Sequence, residues 1–206
     1  MSPTIRPIDP FRSERLVYRA VEDTPADELF VHSIQRDAEA QSGASYGLLT
    51  PESKAASNKF KEYIAEKCLL GAIVCLPQTS SEGQETAGKP IGIVCLKARP
   101  PHFAHHRNSD ISIDVAREHR GKGYGAEAIA WALWYGFQMA GLHRIEIMAF
   151  SFNGGAMRLY ERMGFKEEGR QREHMWFNGG WHDNITYGML EHEWRALSKE
   201  SHRVWL

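Results

Sequence analysis

The stretch Arg120-Gly121-Lys122-Gly123-Tyr124-Gly125-Ala126 constrains this chain more than any other. Three glycines at alternate positions follow an apolar run, 111–115, and lead directly into a long helical pattern, 123–140. A strand, a glycine turn and a helix in succession make an anion site. The first helical N–H groups have no intrahelical partner, and glycine lets a ligand reach the bare backbone. Each such dipole interaction contributes about 0.3–1 kcal/mol, so several N–H donors together with Arg120 and Lys122 are needed to hold a diphosphate. The pattern predicts a nucleotide-like ligand and leaves open which one.

Composition narrows the classes. With 206 residues the chain is expected to form one domain, 1–206, with a core over about 14–190 and a charged C-terminal helix over about 191–202. Hydrophobic residues at 42% and charged residues at 25% are ordinary for a water-soluble globule. A formal net charge of −1 gives no electrostatic footprint for nucleic acid, so no nucleic-acid partner is expected. No apolar run approaches the roughly 20 residues of a membrane span, and the polar, proline-bearing start does not read as a signal peptide. Cys68, Cys75 and Cys95 lack CxxC spacing, which argues against zinc and against a disulfide scaffold. A cytoplasmic protein, monomer or homodimer, is the expectation.

Along the chain, 16–21 reads as a strand, and Thr24-Pro25 caps a helix through about residue 34. Residues 37–50 read as a loop, 51–67 as a second helix, and 69–76 and 90–98 as strands flanking a polar hairpin loop, 78–89. A loop over 99–109 holds His102, His105 and His106, but no carboxylate or cysteine stands at ligand spacing and no metal is expected. The strand 111–115 comes next. The helix 123–140 is apolar nearly all round, which predicts burial on more than one side, and Gly141 ends it. A strand over 144–150, a helix over 155–163 closed by Gly164, and a hairpin pairing 165–176 with 181–190 around Asn178-Gly179 complete the order. The sequence β-α-α-β-β-β-α-β-α-β-β implies an α/β fold of the mixed, α+β kind: a twisted sheet of about seven strands, largely antiparallel, with helices on both faces.

As a bare pattern, Gly121-x-Gly123-x-x-Ala126 passes for a dinucleotide fingerprint, but that turn belongs after the first strand of an alternating fold. A phosphate-loop NTPase fails because no Gly-Lys-Ser/Thr follows. The stretch does resemble the acetyl-CoA loop of the GNAT superfamily of N-acetyltransferases, Arg/Gln-x-x-Gly-x-Gly/Ala, filled by Arg120, Gly123 and Gly125. Residues 153–165, from Asn153 through Ala156 and Tyr160 to Gly164-Phe165, are similar to the family's second motif. The tail Gly169-Arg-Gln-Arg172, with 178–183, resembles the branch of ribosomal-protein N-terminal and spermidine acetyltransferases.

That resemblance implies acetyl-CoA as cosubstrate and direct transfer to a primary amine, whether polyamine, other small amine or protein N-terminus; a CoA-binding scaffold without catalysis is the alternative. It further implies that Arg120, Gly121, Lys122, Gly123, Tyr124, Gly125 and Ala126 cradle the pyrophosphate. The edge at Ile113, Asp114 and Val115 would pair with the pantetheine amides, as an added strand does. The Val115 N–H would polarise the thioester oxygen. Asn153, Ala156 and Tyr160 would approach the cofactor from the second motif, with Tyr160 as general acid and Asn153 near the thioester. Asp110, at the start of the fourth strand, is the candidate for drawing off the amine proton; Asp114 shares its strand face by period two. A polyamine acceptor calls for convergent carboxylates, which Glu22, Asp23, Asp37 and Glu39 are placed to supply.

Overall fold

A computed structural model describes residues 9–79, 83 and 85–200. One seven-stranded sheet runs through it in the order β1-β2-β3-β4-β5-β7-β6. The strands are β1 (Val17–Arg19), β2 (Cys68–Thr79), β3 (Glu85–Lys97), β4 (Asn108–Val115), β5 (Arg144–Phe150), β6 (Lys166–Phe177) and β7 (Gly180–Leu190). Every neighbouring pair is antiparallel except β4 and β5. The mixed, largely antiparallel sheet expected from the sequence is what forms.

Helix starts follow local chemistry. In α1 (Pro25–Gln35) the Thr24 hydroxyl accepts from the Asp27 amide, with proline in the first turn. Ser53 does the same for α3 (Lys54–Glu62) at the Ala56 amide. The expected loop over 37–50 is corrected. Residues 38–44 form α2 (Ala38–Ala44), capped by Asp37, whose carboxylate accepts from the Glu39 and Ala40 amides. None of its residues is buried, so hydrophobic periodicity carried no sign of it.

The expected hairpin loop 78–89 is corrected as well. The ladder extends to Gln78–Thr86 and Thr79–Glu85, and the remaining loop residues, 80–82 and 84, lie outside the described residues. The first strand is shorter than expected. The loop over 99–109 contains a 3-10 turn, Pro101–His106, and β4 begins at Asn108.

One face of the sheet carries the larger core, where α4 (Tyr124–Trp134) and α5 (Gly154–Arg162) pack. Residues 128–134 are all buried, and the Trp131 ring stacks on Tyr18 at 3.6 Å. α4 ends in a wide π turn, Tyr135–Met139, rather than continuing as regular helix to residue 140. Val31, Ile34, Ile64 and Ile93 form a smaller core under α1 and α3 on the other face. A charged helix, α6 (Glu191–Glu200), follows β7. Among the described residues no helix is long and apolar enough to cross a membrane.

Candidate active site

The parallel pair at the sheet's centre is short. β4 and β5 pair only from Asn108–Arg144 to Asp110–Glu146, and no ladder joins them beyond. The strands part there, and a cleft opens between them. Ile111, Ser112 and Ile113 of β4 line it, with Ile147, Met148 and Phe150 of β5, Tyr160 of α5, and Gly43, Ala44 and Tyr46 from α2 and the segment after it. Asp110 and Lys97 complete the lining.

The strand register decides what β4 offers this gap. The Ala116 N–H bonds the Ile91 carbonyl at 2.8 Å, which makes Gly92–Val115 a non-hydrogen-bonded pair. In an antiparallel ladder such residues turn both backbone groups away from the partner strand. Val115, and Ile113 two residues earlier, therefore aim N–H and C=O away from β3 and toward the gap. The result is a short strand edge inside the sheet, its Val115 carbonyl already accepting from Arg120 Nε but the Val115 N–H and both groups of Ile113 able to pair with an extended amide-bearing ligand.

At the far end of this edge stands the glycine loop. Gly121 and Gly123 adopt φ of 71° and 84°, a left-handed backbone that glycine takes without a Cβ penalty. Gly123 is the N-cap of α4 and no side chain caps that helix. The first-turn amides therefore have no side-chain cap. The Arg120 side chain, however, turns back from the loop. Its Nε donates to the Val115 carbonyl at 2.9 Å and its Nη2 to Asp37 at 2.5 Å. Sequence reasoning missed Arg15, which lies against the loop instead. Its guanidinium pairs with Glu127 at 2.7 Å, donates to the Lys122 carbonyl at 3.2 Å, and sits over the Tyr124 ring.

Tyr160 is buried at 7% exposure, beside the rings of Tyr187 and Phe165. Burial, aided by the Asp114 charge, pushes its phenol up to about 12. Asn153 caps α5, its Oδ1 accepting from the Ala156 amide at 3.1 Å. Its Nδ2 faces Gly43, where a Cβ would stand only 3.0 Å away. Of residues 153–160, Tyr160 lines the cleft, whereas Asn153 and Ala156 do not; Asn153 meets α2 at Gly43.

The two aspartates of β4 differ. Asp110 lines the cleft and is ion-paired to Arg99 at 3.1 Å. Asp114 does not line it. This carboxyl is buried, and burial raises it to about 6 although Arg120 acts in the opposite direction. Of the four carboxylates considered for a polyamine, three are engaged by cations: Asp23 with Lys61 at 2.7 Å, Asp37 with Arg120, and Glu39 with Arg117 at 2.6 Å. Tyr46 was also missed from sequence. Its hydroxyl meets the Met148 sulfur at 3.0 Å and its ring meets Phe150 edge-on. Among the described residues no group of three or more His, Cys, Asp or Glu side chains gathers as a metal set.

Similarity to known proteins follows the same geometry. Solved structures share the fold: an acetyltransferase (GNAT family) from Bacillus anthracis at TM-score 0.69 and 22% identity, covering 88% of this chain and 98% of that one. Spermidine N-acetyltransferase from Vibrio cholerae, in complex with CoA and spermine, matches at TM-score 0.70 and 26% identity, again over 88% and 98%. Among curated relatives, the spermidine N(1)-acetyltransferase of Vibrio cholerae is 40% identical over 78 residues, 38% of this chain and 45% of that protein. The putative ribosomal N-acetyltransferase YdaF of Bacillus subtilis is 35% identical over 91 residues, 44% of this chain and 50% of that protein. The chain spans about half the length of the curated relatives it matches. The acetyltransferase (GNAT) family model matches residues 51–165, more than half of the chain and the whole path from α3 through the glycine loop to Phe165. By that match the chain belongs to the GNAT acetyltransferase family.

Proposed function

We propose that this protein is an acetyl-CoA-dependent N-acetyltransferase that passes the acetyl group directly to a primary amine. One observation carries the reading: the β4 edge at Ile113 and Val115, turned toward the gap, runs from the uncapped glycine loop to the buried hydroxyl-bearing ring of Tyr160. These parts fit the cosubstrate. The bare loop suits a pyrophosphate, and the edge suits the amides of a pantetheine arm. Acetyl-CoA supplies an activated acyl group on a thiol leaving group.

The loop amides of 121–126 bind and orient the phosphates, with the Arg15 guanidinium beside them at Lys122 and Gly123. The Val115 N–H stabilises negative charge as it develops on the acyl oxygen. Tyr160 assists the departing sulfur. A thiol near 8.5 is a stronger acid than a phenol near 12, so complete proton transfer would run uphill by about 5 kcal/mol. Tyr160 therefore acts as a hydrogen-bond donor to the sulfur, and a solvent proton completes the step.

The acceptor is a singly charged amine, a monoamine or a peptide N-terminus, rather than a polyamine. Among the described residues Asp110 is the one carboxylate lining the cleft, and Arg99 already holds it. A peptide α-amine near 7.8 costs only about 1 kcal/mol to neutralise at pH 7, against about 4.6 for an alkylmonoamine near 10.4, so of the two acceptors a weak base serves the peptide N-terminus better. Thiol release from acetyl-CoA across a panel of monoamines, peptides and spermidine tests both claims. Turnover highest on the first two classes is expected. Tight acetyl-CoA binding with no turnover on any amine would replace the enzyme by a CoA-binding scaffold.

A further inference from the structure

The cofactor loop and the acceptor side of the cleft belong to elements far apart in sequence, and a pair of carboxylates joins them. α2 supplies the acceptor-side wall: Gly43 stands against Asn153, and Ala44 and Tyr46 line the cleft. Yet none of the seven residues of α2 is buried. Apolar burial, the usual anchor of a surface helix, does not hold it. Polar ties at its N-terminal end remain. Asp37 Oδ1 accepts from the Glu39 and Ala40 amides and so starts the helix, while Oδ2 accepts from Arg120 Nη2 at 2.5 Å. Glu39 adds a second tie, to Arg117 at 2.6 Å and to Arg120 at 3.5 Å. Arg120 in turn is anchored to the end of β4 through the Val115 carbonyl, next to the loop glycines.

We propose that Asp37 is a positioning residue that couples the glycine loop to the acceptor wall, so that a cofactor bound on the loop holds α2, and with it Gly43, Ala44 and Tyr46, in the geometry that receives the amine. The inference rests on the acetyl-transfer reading. Its chemistry is a charge-assisted hydrogen bond at half-buried side chains, stronger than an exposed ion pair. Burial raises the Asp37 carboxyl, but the bonds from Arg120 and the Ala40 amide outweigh it and the group is held below the usual carboxylate range. It is charged whenever the enzyme works near neutrality. Arg120 thereby acts through α2, with its guanidinium spent on positioning and only its backbone left for phosphate.

Asp37→Asn and Asp37→Ser separate the two tasks of the side chain. Asparagine and serine both remain good N-caps, but neither gives Arg120 an anion. In the 206-residue chain the acceptor KM is expected to rise about fivefold, with acetyl-CoA affinity by calorimetry changed less than twofold. Hydrogen exchange supplies the independent readout. Adding CoA should slow exchange of amides 40–46 in the wild type and not in Asp37→Asn. Arg120→Gln should reproduce the acceptor defect, and the double variant should add little to it. Unchanged acceptor KM with CoA protection of α2 intact in Asp37→Asn would overturn the coupling. So would tighter acetyl-CoA binding in Asp37→Asn, which would mean that Arg120 leaves Asp37 to serve the phosphates. If the wild type acetylates no amine, the acetyl-transfer reading fails, and the exchange experiment still decides whether Asp37 links loop and wall.

Discussion

Gly43 presses its bare backbone against the Asn153 side chain, with room of only 3.0 Å between a would-be Cβ and Nδ2. This contact joins α2 to the asparagine that starts α5, whose Oδ1 is held by the Ala156 amide. Gly43→Ala should displace that amide by a few tenths of an ångström. The expected outcome is a several-fold loss of kcat with the melting temperature almost unchanged, because the site is half exposed. Equal kcat in steady-state assays would separate Asn153 from the chemistry.

Asn153 itself has two tasks. Asn153→Ala removes the cap bond to the Ala156 amide and should cost about 1 kcal/mol of stability. Asn153→Ser keeps a cap acceptor but shortens the side chain away from Gly43. Denaturant melts and kinetics on the two variants should therefore diverge, with stability near wild type in the serine variant and activity low in both.

Tyr160→Phe removes the hydroxyl and leaves the packing against Phe165 and Tyr187. A fall of about 100-fold in kcat is expected, with acetyl-CoA affinity within twofold. Because burial holds the phenol at about 12, no loss of activity from its ionisation should appear in the pH–rate profile below pH 10. Full activity in the phenylalanine variant would remove Tyr160 from the mechanism.

The Asp114 carboxyl gives a stability signature of definite sign. Folding raises it from 3.8 to about 6, so between those values the folded chain binds more proton than the unfolded one. The unfolding free energy contributed by this group thus falls as pH rises from about 4 to 6, by about 1–3 kcal/mol, and is level above that. Asp114→Asn should be more stable than wild type at pH 8 and lose the advantage near pH 4. Urea titrations at the two pH values measure it.

Gly123→Val places a β-branched side chain at φ 84°, with its Cβ 3.2 Å from the Arg15 guanidinium. Acetyl-CoA affinity should fall more than about 100-fold, through blocked approach to the α4 amides. Circular dichroism checks that the fold persists, and unchanged affinity by calorimetry would dismiss the loop as the phosphate site.

Much of this arrangement is legible along the chain because its signals are local. Glycines at 121 and 123, the Thr24 cap and the Asn178-Gly179 turn act within a few residues of themselves, and each element they bound formed. α2 escaped because a helix with no buried residue has no apolar period; its one local sign was Asp37 ahead of Ala38-Glu39-Ala40-Gln41. The long β2–β3 ladder escaped because its outer end is polar on both strands.

The order of the strands, the burial of residues 128–134 and the glycine turn that opens α4 were determined by the sequence, through turn chemistry, capping and hydrophobic period. The destinations of the charged side chains were decided by the tertiary structure alone. Arg120 reaches Asp37 across 83 residues, Arg15 reaches Glu127 across 112, and Asp110 is held by Arg99 while Asp114 is buried four residues further along the same strand. Ion pairs carry no periodicity and no directional signal in the chain, so which carboxylate meets which cation becomes readable only once packing has brought them together.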